Sequence, residues 1–172
     1  MRLAAGLVIV LGVSAFACAP AAAESRSHTV TKILRSGQAV ASDATVSVTP
    51  AGAKATSGIR VGESIPDGTR IDVPARVIVV VTSSGAKSIT TIEPNSSITF
   101  VATDTGEVSQ VNAGSAWFAI VHHALDFFYV NTAHSFVAAA RGTNFNVRSD
   151  ANEGLGNLLF LLNHRISIVR HQ

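Results

Sequence analysis

The chain has 172 residues, of which 47% are hydrophobic and 14% are charged, and its formal net charge is +2. This composition excludes an intrinsically disordered protein, which has low hydrophobicity and high net charge, and a strongly basic surface for nucleic acid. A single cysteine also excludes a disulfide-stapled scaffold and a cysteine-rich zinc finger. The length suits a leader segment followed by one domain.

Residues 1–23 have the three parts of a secretory signal peptide. Arg2 precedes an apolar run over residues 3–16, and small residues lead to an Ala-x-Ala site that ends at Ala23. We therefore predict cleavage after Ala23 and a periplasmic or secreted protein that does not span the membrane. The alternative is a lipoprotein signal in which Cys18 is acylated and anchors the chain to a membrane.

Residues 24–39 are predicted to form a loose lead-in, with a short edge strand at Thr31–Leu34 as the alternative. From residue 40 onward, runs rich in Val, Ile, Thr and Phe are separated by turn residues about every 8–12 positions, which is typical of all-β domains. Residues 40–172 are therefore predicted to form a single all-β domain of stacked antiparallel strands, arranged as a twisted sandwich or a short solenoid-like sheet.

The predicted strands are short segments that end at Gly, Pro, Asn or Asp. In chain order they cover residues 46–49, 58–65, 69–73, 77–81, 87–92, 97–102, 108–111, 116–121, 127–130, 136–140 and 145–147, with a core segment or further strand at 158–162. Residues 77–81 carry Val or Ile at every position, which predicts a central strand covered on both faces. Gly114 is expected to make a turn between two of these strands.

Three segments together carry a family resemblance. Residues 61–71 read VGESIPDGTRI, residues 111–118 read VNAGSAWF, and residues 128–147 begin with FYVNT and end with RGTNFNV. In this order and spacing they resemble the FecR-type domain, the periplasmic module of ferric-citrate-type regulators, over residues 58–148.

The resemblance implies an exported, non-catalytic sensing or interaction module in bacterial envelope signalling, which contacts another envelope protein through its surface and edge strands. Regulators of this family usually also carry a cytoplasmic segment that handles a sigma factor and a transmembrane helix, and this sequence shows neither. Ala133 stands where the family has proline. The sequence after Val147 departs from the family pattern, so a shortened C-terminal end is expected.

The RGTNFNV segment is interpreted as a structural motif, because a glycine within a strand usually marks a bulge. A two-residue period places Phe145 and Val147 on a buried face. The opposite row, expected to face solvent, is Asn144, Asn146 and Arg148. The structural residues implied by the resemblance are Gly114, Trp117, Phe118, Gly142, Thr143, Phe145 and Val147. The candidate surface or ligand contacts are Arg141, Asn144, Asn146 and His134.

Catalytic and metal sites find little support in the sequence. His122, His123 and Asp126 form a cluster with too few further ligands, so no metal is predicted. No serine lies in a G-x-S-x-G elbow and the only cysteine is in the leader, so neither an enzyme nor a cofactor is expected. Residues 88–140 contain no Lys or Arg, which argues against a nucleic-acid partner.

Aromatic residues leave a second functional interpretation open. Trp117–Phe118 and Phe127–Tyr129 are interpreted mainly as core, because aromatic side chains dominate core burial. Any members that face solvent would form a stacking platform. The alternative to a protein-interaction module is therefore a domain that binds a saccharide or a siderophore on exposed aromatics.

Overall fold

Fifteen β-strands form the regular structure of the residues described in a computed structural model, which are 27–84, 88–102, 106–120, 127–132, 135–139, 143–149, 159–163 and 166–170. In chain order they are β1 (His28–Arg35), β2 (Gln38–Val40), β3 (Ser42–Thr49), β4 (Thr56–Arg60), β5 (Ser64–Ile65), β6 (Arg70–Val73), β7 (Val77–Ser83), β8 (Ser88–Ile92), β9 (Ser96–Ala102), β10 (Gly106–Ile120), β11 (Phe127–Asn131), β12 (Ser135–Ala139), β13 (Thr143–Ser149), β14 (Leu159–Asn163) and β15 (Ile166–Arg170). These ranges contain no helix, so the predicted all-β domain is confirmed.

All of these strands belong to one curled sheet. Its main path follows the order β2-β1-β7-β8-β10-β9-β6-β3-β4, and the other strands pair beside it. The long strand β10 joins the two halves, because its first part pairs with β9 and β11 and its second part with β8 and β13. Among the strand pairs of the described residues, only β10–β11 is parallel, and it departs from the predicted antiparallel arrangement.

The inner face of the curl holds the hydrophobic core. The ring of His28 on β1 lies over that of Phe100 on β9, with centroids 4.7 Å apart. The ring of Phe118 on β10 lies 5.9 Å from that of Phe128 on β11 and 5.3 Å from that of Phe145 on β13. All five side chains are buried. Burial of each phenylalanine contributes about 1.5–3 kcal/mol, and these contacts bring the two halves together.

The loose lead-in predicted for residues 24–39 is wrong from residue 28 onward. β1 pairs with both β2 and β7, so it lies inside the sheet, and it buries Val30 and Ile33 in the core. A register shift between Val30 and Lys32 shows why simple alternation does not reveal this strand. The extra residue of the bulge separates the two buried side chains by three positions instead of two.

The interior position predicted for residues 77–81 is confirmed, because β7 lies between β1 and β8. Val77, Val79 and Val81 are buried, whereas Ile78 and Val80 are half-buried. The predicted cover on both faces is therefore wrong, since only one face lies in the core. Branched side chains on the other face still favour a pleated, half-buried strand.

The turn expected at Gly114 is absent, because β10 runs through this residue without interruption. Gly114 has a φ of +76° at the point where β10 changes neighbours from β9 to β8 and β13. The register against β9 shifts between Val111 and Ala113, just before the glycine. A bulge with a left-handed glycine bends a strand locally, so a single strand serves both halves of the sheet.

Candidate functional site

Trp117 and Phe118 are neighbours on β10 and lie on opposite faces of the sheet, as strand alternation requires. Phe118 is buried in the core, and Trp117 is half-buried on the outer face. The indole N–H of Trp117 donates a hydrogen bond of 2.8 Å to Oε1 of Glu93. This bond satisfies the polar atom of the ring and fixes the orientation of the side chain.

The strands beside β10 extend the outer surface around Trp117. Thr91 on β8 lies opposite Trp117, and Val80 on β7 lies opposite Thr91, so the three form one row across the sheet. In the adjoining row of β8, Ile89 is 38% exposed, an unusual value for a large apolar residue of an interior strand. We call the surface formed by Val80, Ile89, Thr91 and Trp117 the Trp117 face.

Strand β13 carries the end of the RGTNFNV segment and borders this surface. Phe145 and Val147 are buried, as predicted, and Asn144 and Arg148 are exposed. The solvent exposure predicted for Asn146 is wrong, since only 5% of this residue is accessible. Strand β13 pairs with β10 on one side and with β14 on the other, so Asn146 lies within the sheet and not at its edge.

The burial of Asn146 is compensated by a reciprocal pair of contacts with Ser115. The Asn146 amide nitrogen lies 2.9 Å from the Ser115 hydroxyl, and that hydroxyl lies 3.1 Å from the amide oxygen. A buried amide that is paired in this way stabilises the β10–β13 register. Asn146 is therefore a structural residue here and not the surface contact expected from the sequence.

Several residues singled out in the sequence lie outside the described residues. They are Ala23 and Cys18 of the predicted leader, which precedes the described ranges, and Arg141, Gly142, His122, His123, Asp126 and His134, which fall in the gaps between them. Thr143, in contrast, is described as the first residue of β13.

The structure brings together a buried polar cluster that no local sequence pattern indicates. Nε2 of His28 on β1 lies 3.0 Å from Oε1 of Glu107 on β10, and the Ser88 hydroxyl donates to the same oxygen at 3.4 Å. His28 is 1% and Glu107 2% exposed. On the other side of the ring, Nδ1 has no hydrogen-bond partner among the described residues and lies 3.9 Å from Oδ1 of Asp67. The pair is sealed from solvent and joins β1 to β10.

A second polar cluster holds a bulge in β3. Asp43 has a buried carboxylate, which accepts bonds of 2.7 Å from Nε and Nη2 of Arg35. It also accepts bonds from the backbone N–H of Thr45 at 2.8 Å and from its hydroxyl at 2.6 Å. The bonds from Arg35, assisted by those from Thr45, hold the pKa of Asp43 well below its ordinary value against the opposing effect of burial.

The replacement Asp43→Asn should lower the free energy of unfolding at pH 7 by about 2 kcal/mol, because hydrogen bonds to a charged acceptor are lost. A carboxyl whose pKa is lowered in the folded state stabilises the protein above its ordinary pKa and loses this effect as the pH falls through the folded value. The difference between wild type and variant should therefore shrink below about pH 4. Denaturant titrations at neutral and acidic pH test this, and a difference that stays constant on acidification would contradict it.

Within the described ranges, no helix is long and apolar enough to cross a membrane. The same residues contain no group of three or more His, Cys, Asp or Glu side chains that could hold one metal ion. No protein-family model, curated protein or solved structure matches the chain. The Trp117 face and the two polar clusters are therefore the features on which a functional inference depends.

Proposed function

We propose that the protein is an exported, non-catalytic FecR-like module of the bacterial envelope, which senses or signals through contacts with another envelope protein. The observation that carries this proposal is the Trp117 face. It combines an anchored tryptophan with the exposed Ile89 on the outer surface of a sheet. Tryptophan is enriched among the residues that dominate the binding energy of protein interfaces.

The geometry around Trp117 suits a protein partner. The bond to Glu93 holds the indole in place before binding, so little side-chain entropy remains to be lost. Thr91 lies opposite Trp117 on β8 and Val80 lies opposite Thr91 on β7, and both of these side chains are uncharged. An interface core is typically depleted in charge and enriched in aromatic residues.

A non-catalytic role is also in accord with the polar clusters. His28 and Glu107 are buried, and the carboxylate of Asp43 is occupied by Arg35 and Thr45. General acid–base catalysis requires a group within hydrogen-bond reach of the substrate. These groups instead stabilise strands, which supports an interaction module over an enzyme.

Trp117 also makes a ligand-binding domain the second candidate function. Of the aromatic residues predicted as a platform, Phe118 and Phe128 are buried, whereas Trp117 and Tyr129 are half-buried. A single accessible tryptophan provides one stacking surface for a saccharide or an aromatic siderophore. In the first function Trp117 contacts a protein, whereas in the second it stacks on a small ligand.

The test is crosslinked capture from envelope fractions with wild type, Trp117→Ala and the control Gln110→Ala. Gln110 is exposed on the other half of β10. We expect Trp117→Ala to reduce capture of a specific protein at least about tenfold, as for a central interface residue, and the control to leave it unchanged. Equal capture by all three proteins would contradict the proposal. Saturable quenching of Trp117 fluorescence by a saccharide or siderophore, without a captured protein, would favour the second function.

A further inference from the structure

A tight turn between β4 and β5 presents an apolar side chain to solvent. The backbone N–H of Glu63 donates to the carbonyl of Arg60 at 3.1 Å, which closes a four-residue turn. Gly62 has a φ of +87°, as the third position of a type II turn requires. Val61, at the second position, is 44% exposed and is the more exposed of the two large hydrophobic residues that face solvent in the described ranges.

The turn is held firmly against the body of the sheet. The N–H of Val61 donates to the carbonyl of Ala41 at 2.9 Å, and that of Gly62 donates to the carbonyl of Val30 at 2.7 Å. In return, the N–H of Val30 donates to the carbonyl of Glu63 at 2.9 Å. Val61 therefore occupies a fixed position, so little backbone entropy is lost when a partner binds it.

The turn that presents Val61 also carries one charged residue of each sign, Arg60 and Glu63. The guanidinium of Arg60 is in no ion pair with any described residue, and Arg60 is exposed. Oε2 of Glu63 accepts a bond of 2.9 Å from the backbone N–H of Arg60, but its charge is not neutralised by a described side chain. The turn thus carries a positive charge, an apolar side chain and a negative charge in sequence.

A groove of about 730 Å³ lies beside this turn, between β3 and β4. The register of the two strands shifts between Asp43 and Ser47, opposite Gly58, which has a φ of +102°. Asp43 and Gly58 both line the groove, and the bonds of Asp43 to Thr45 fix the backbone of β3 at this bulge. The surface therefore contains a projecting residue, Val61, and a recess next to it. We call the turn 60–63 and this groove the Val61 patch.

We propose that two copies of this chain associate through the Val61 patch about a twofold axis that passes near Val61. In this arrangement Arg60 of each copy pairs with Glu63 of the other, and the two Val61 side chains pack together above the grooves. A surface that carries one charge of each sign beside an apolar residue can pair with a copy of itself rotated by 180°, because each positive group then meets a negative one. A partner of a single charge sign would leave one of the two charges desolvated and unpaired, at a cost.

The dimer should be weak and reversible. A turn and a groove cover less than the roughly 800 Å² per partner of a standard interface, so we expect a dissociation constant on the order of 10–100 µM. The proposal is independent of the envelope partner, because the Trp117 face lies on β7, β8 and β10, whereas β4 is at the end of the strand order. Failure of one proposal therefore leaves the other intact.

Charge reversal and mixing test this dimer by sedimentation equilibrium. Arg60→Glu alone and Glu63→Arg alone each bring like charges together, so each should weaken self-association more than tenfold. An equimolar mixture of the two variants should restore association, because every Glu then faces an Arg. The double variant R60E/E63R should also restore it. Lys54→Glu, an equal charge change at an exposed position in the β3–β4 turn, should have no effect.

Two results would overturn the proposed dimer. A protein that stays monomeric up to about 1 mM would overturn the proposal, since this is far above the expected dissociation constant. A dimer that survives both single reversals would place the interface elsewhere and overturn it as well. Restoration by mixing cannot arise from misfolding, because two unfolded variants would not repair each other, and thermal melting of each variant provides the check on folding.

Discussion

Replacing Gly114 by alanine should lower the free energy of unfolding by about 3 kcal/mol or more. Two effects add at this position. With a φ of +76°, any residue with a Cβ is strained. An added Cβ would also lie 2.5 Å from the carbonyl oxygen of Asn95 and 2.7 Å from the Cα of Ser96, and both are backbone atoms that cannot move aside without shifting the strand.

The matched control is Gly52→Ala, which separates strain from steric overlap. Gly52 has a φ of +70°, but an added Cβ there meets no atom of the described residues within 4 Å. Gly52→Ala should lower the free energy of unfolding by only about 1–2 kcal/mol, which is the strain of a positive φ in a residue with a Cβ. Urea titrations of both variants give the comparison. Equal losses at Gly114 and Gly52 would show that the close approach to Asn95 and Ser96 is unimportant.

Removing one member of the buried His28–Glu107 pair should have a comparable effect. Glu107→Leu leaves Nε2 of His28 without its 3.0 Å partner in the core, and a loss of about 3–5 kcal/mol is expected. The double replacement of His28 and Glu107 by leucine should recover much of this loss, because an apolar pair of similar volume needs no partner. A double-mutant cycle measured by denaturant unfolding gives the coupling energy.

The exposed pair Arg70–Asp72 is the control for this cycle. Its side chains approach to 2.7 Å but are 52% and 35% exposed. Solvent screens such a pair, and Asp72→Leu should cost less than about 1 kcal/mol. If the effects of the two leucine replacements at His28 and Glu107 simply add, the buried contact contributes nothing specific and our interpretation of it fails.

Local sequence pattern predicts those strands whose residues alternate without interruption. The segment predicted at 69–73 corresponds to β6 (Arg70–Val73), with Ile71 and Val73 buried on one face. The local pattern does not predict β1, where a bulge changes the period. It also does not predict that β10 continues through Gly114. A glycine between two apolar runs indicates a turn when read locally. The continuity of β10 depends instead on pairing with β8 and β13, which are distant in sequence.

The sequence predicts only part of the candidate site. Alternation places Trp117 and Phe118 on opposite faces, but the bond from Trp117 to Glu93 spans 24 residues. The His28–Glu107 contact spans 79 residues. Such pairs are determined by the order of strands in the sheet, which no local period encodes. For the same reason, the three-dimensional structure of the turn is needed to recognise the charges of Arg60 and Glu63 near Val61.

The shared strand β10 has a consequence for the way the protein unfolds. The two halves of the sheet share β10, because β9 and β11 pair with its first part and β8 and β13 pair with its second part. Opening either half removes pairing partners from the backbone that supports the other. The described core should therefore behave as one cooperative unit, in which the amides of β8 and β9 exchange with solvent through the same global opening.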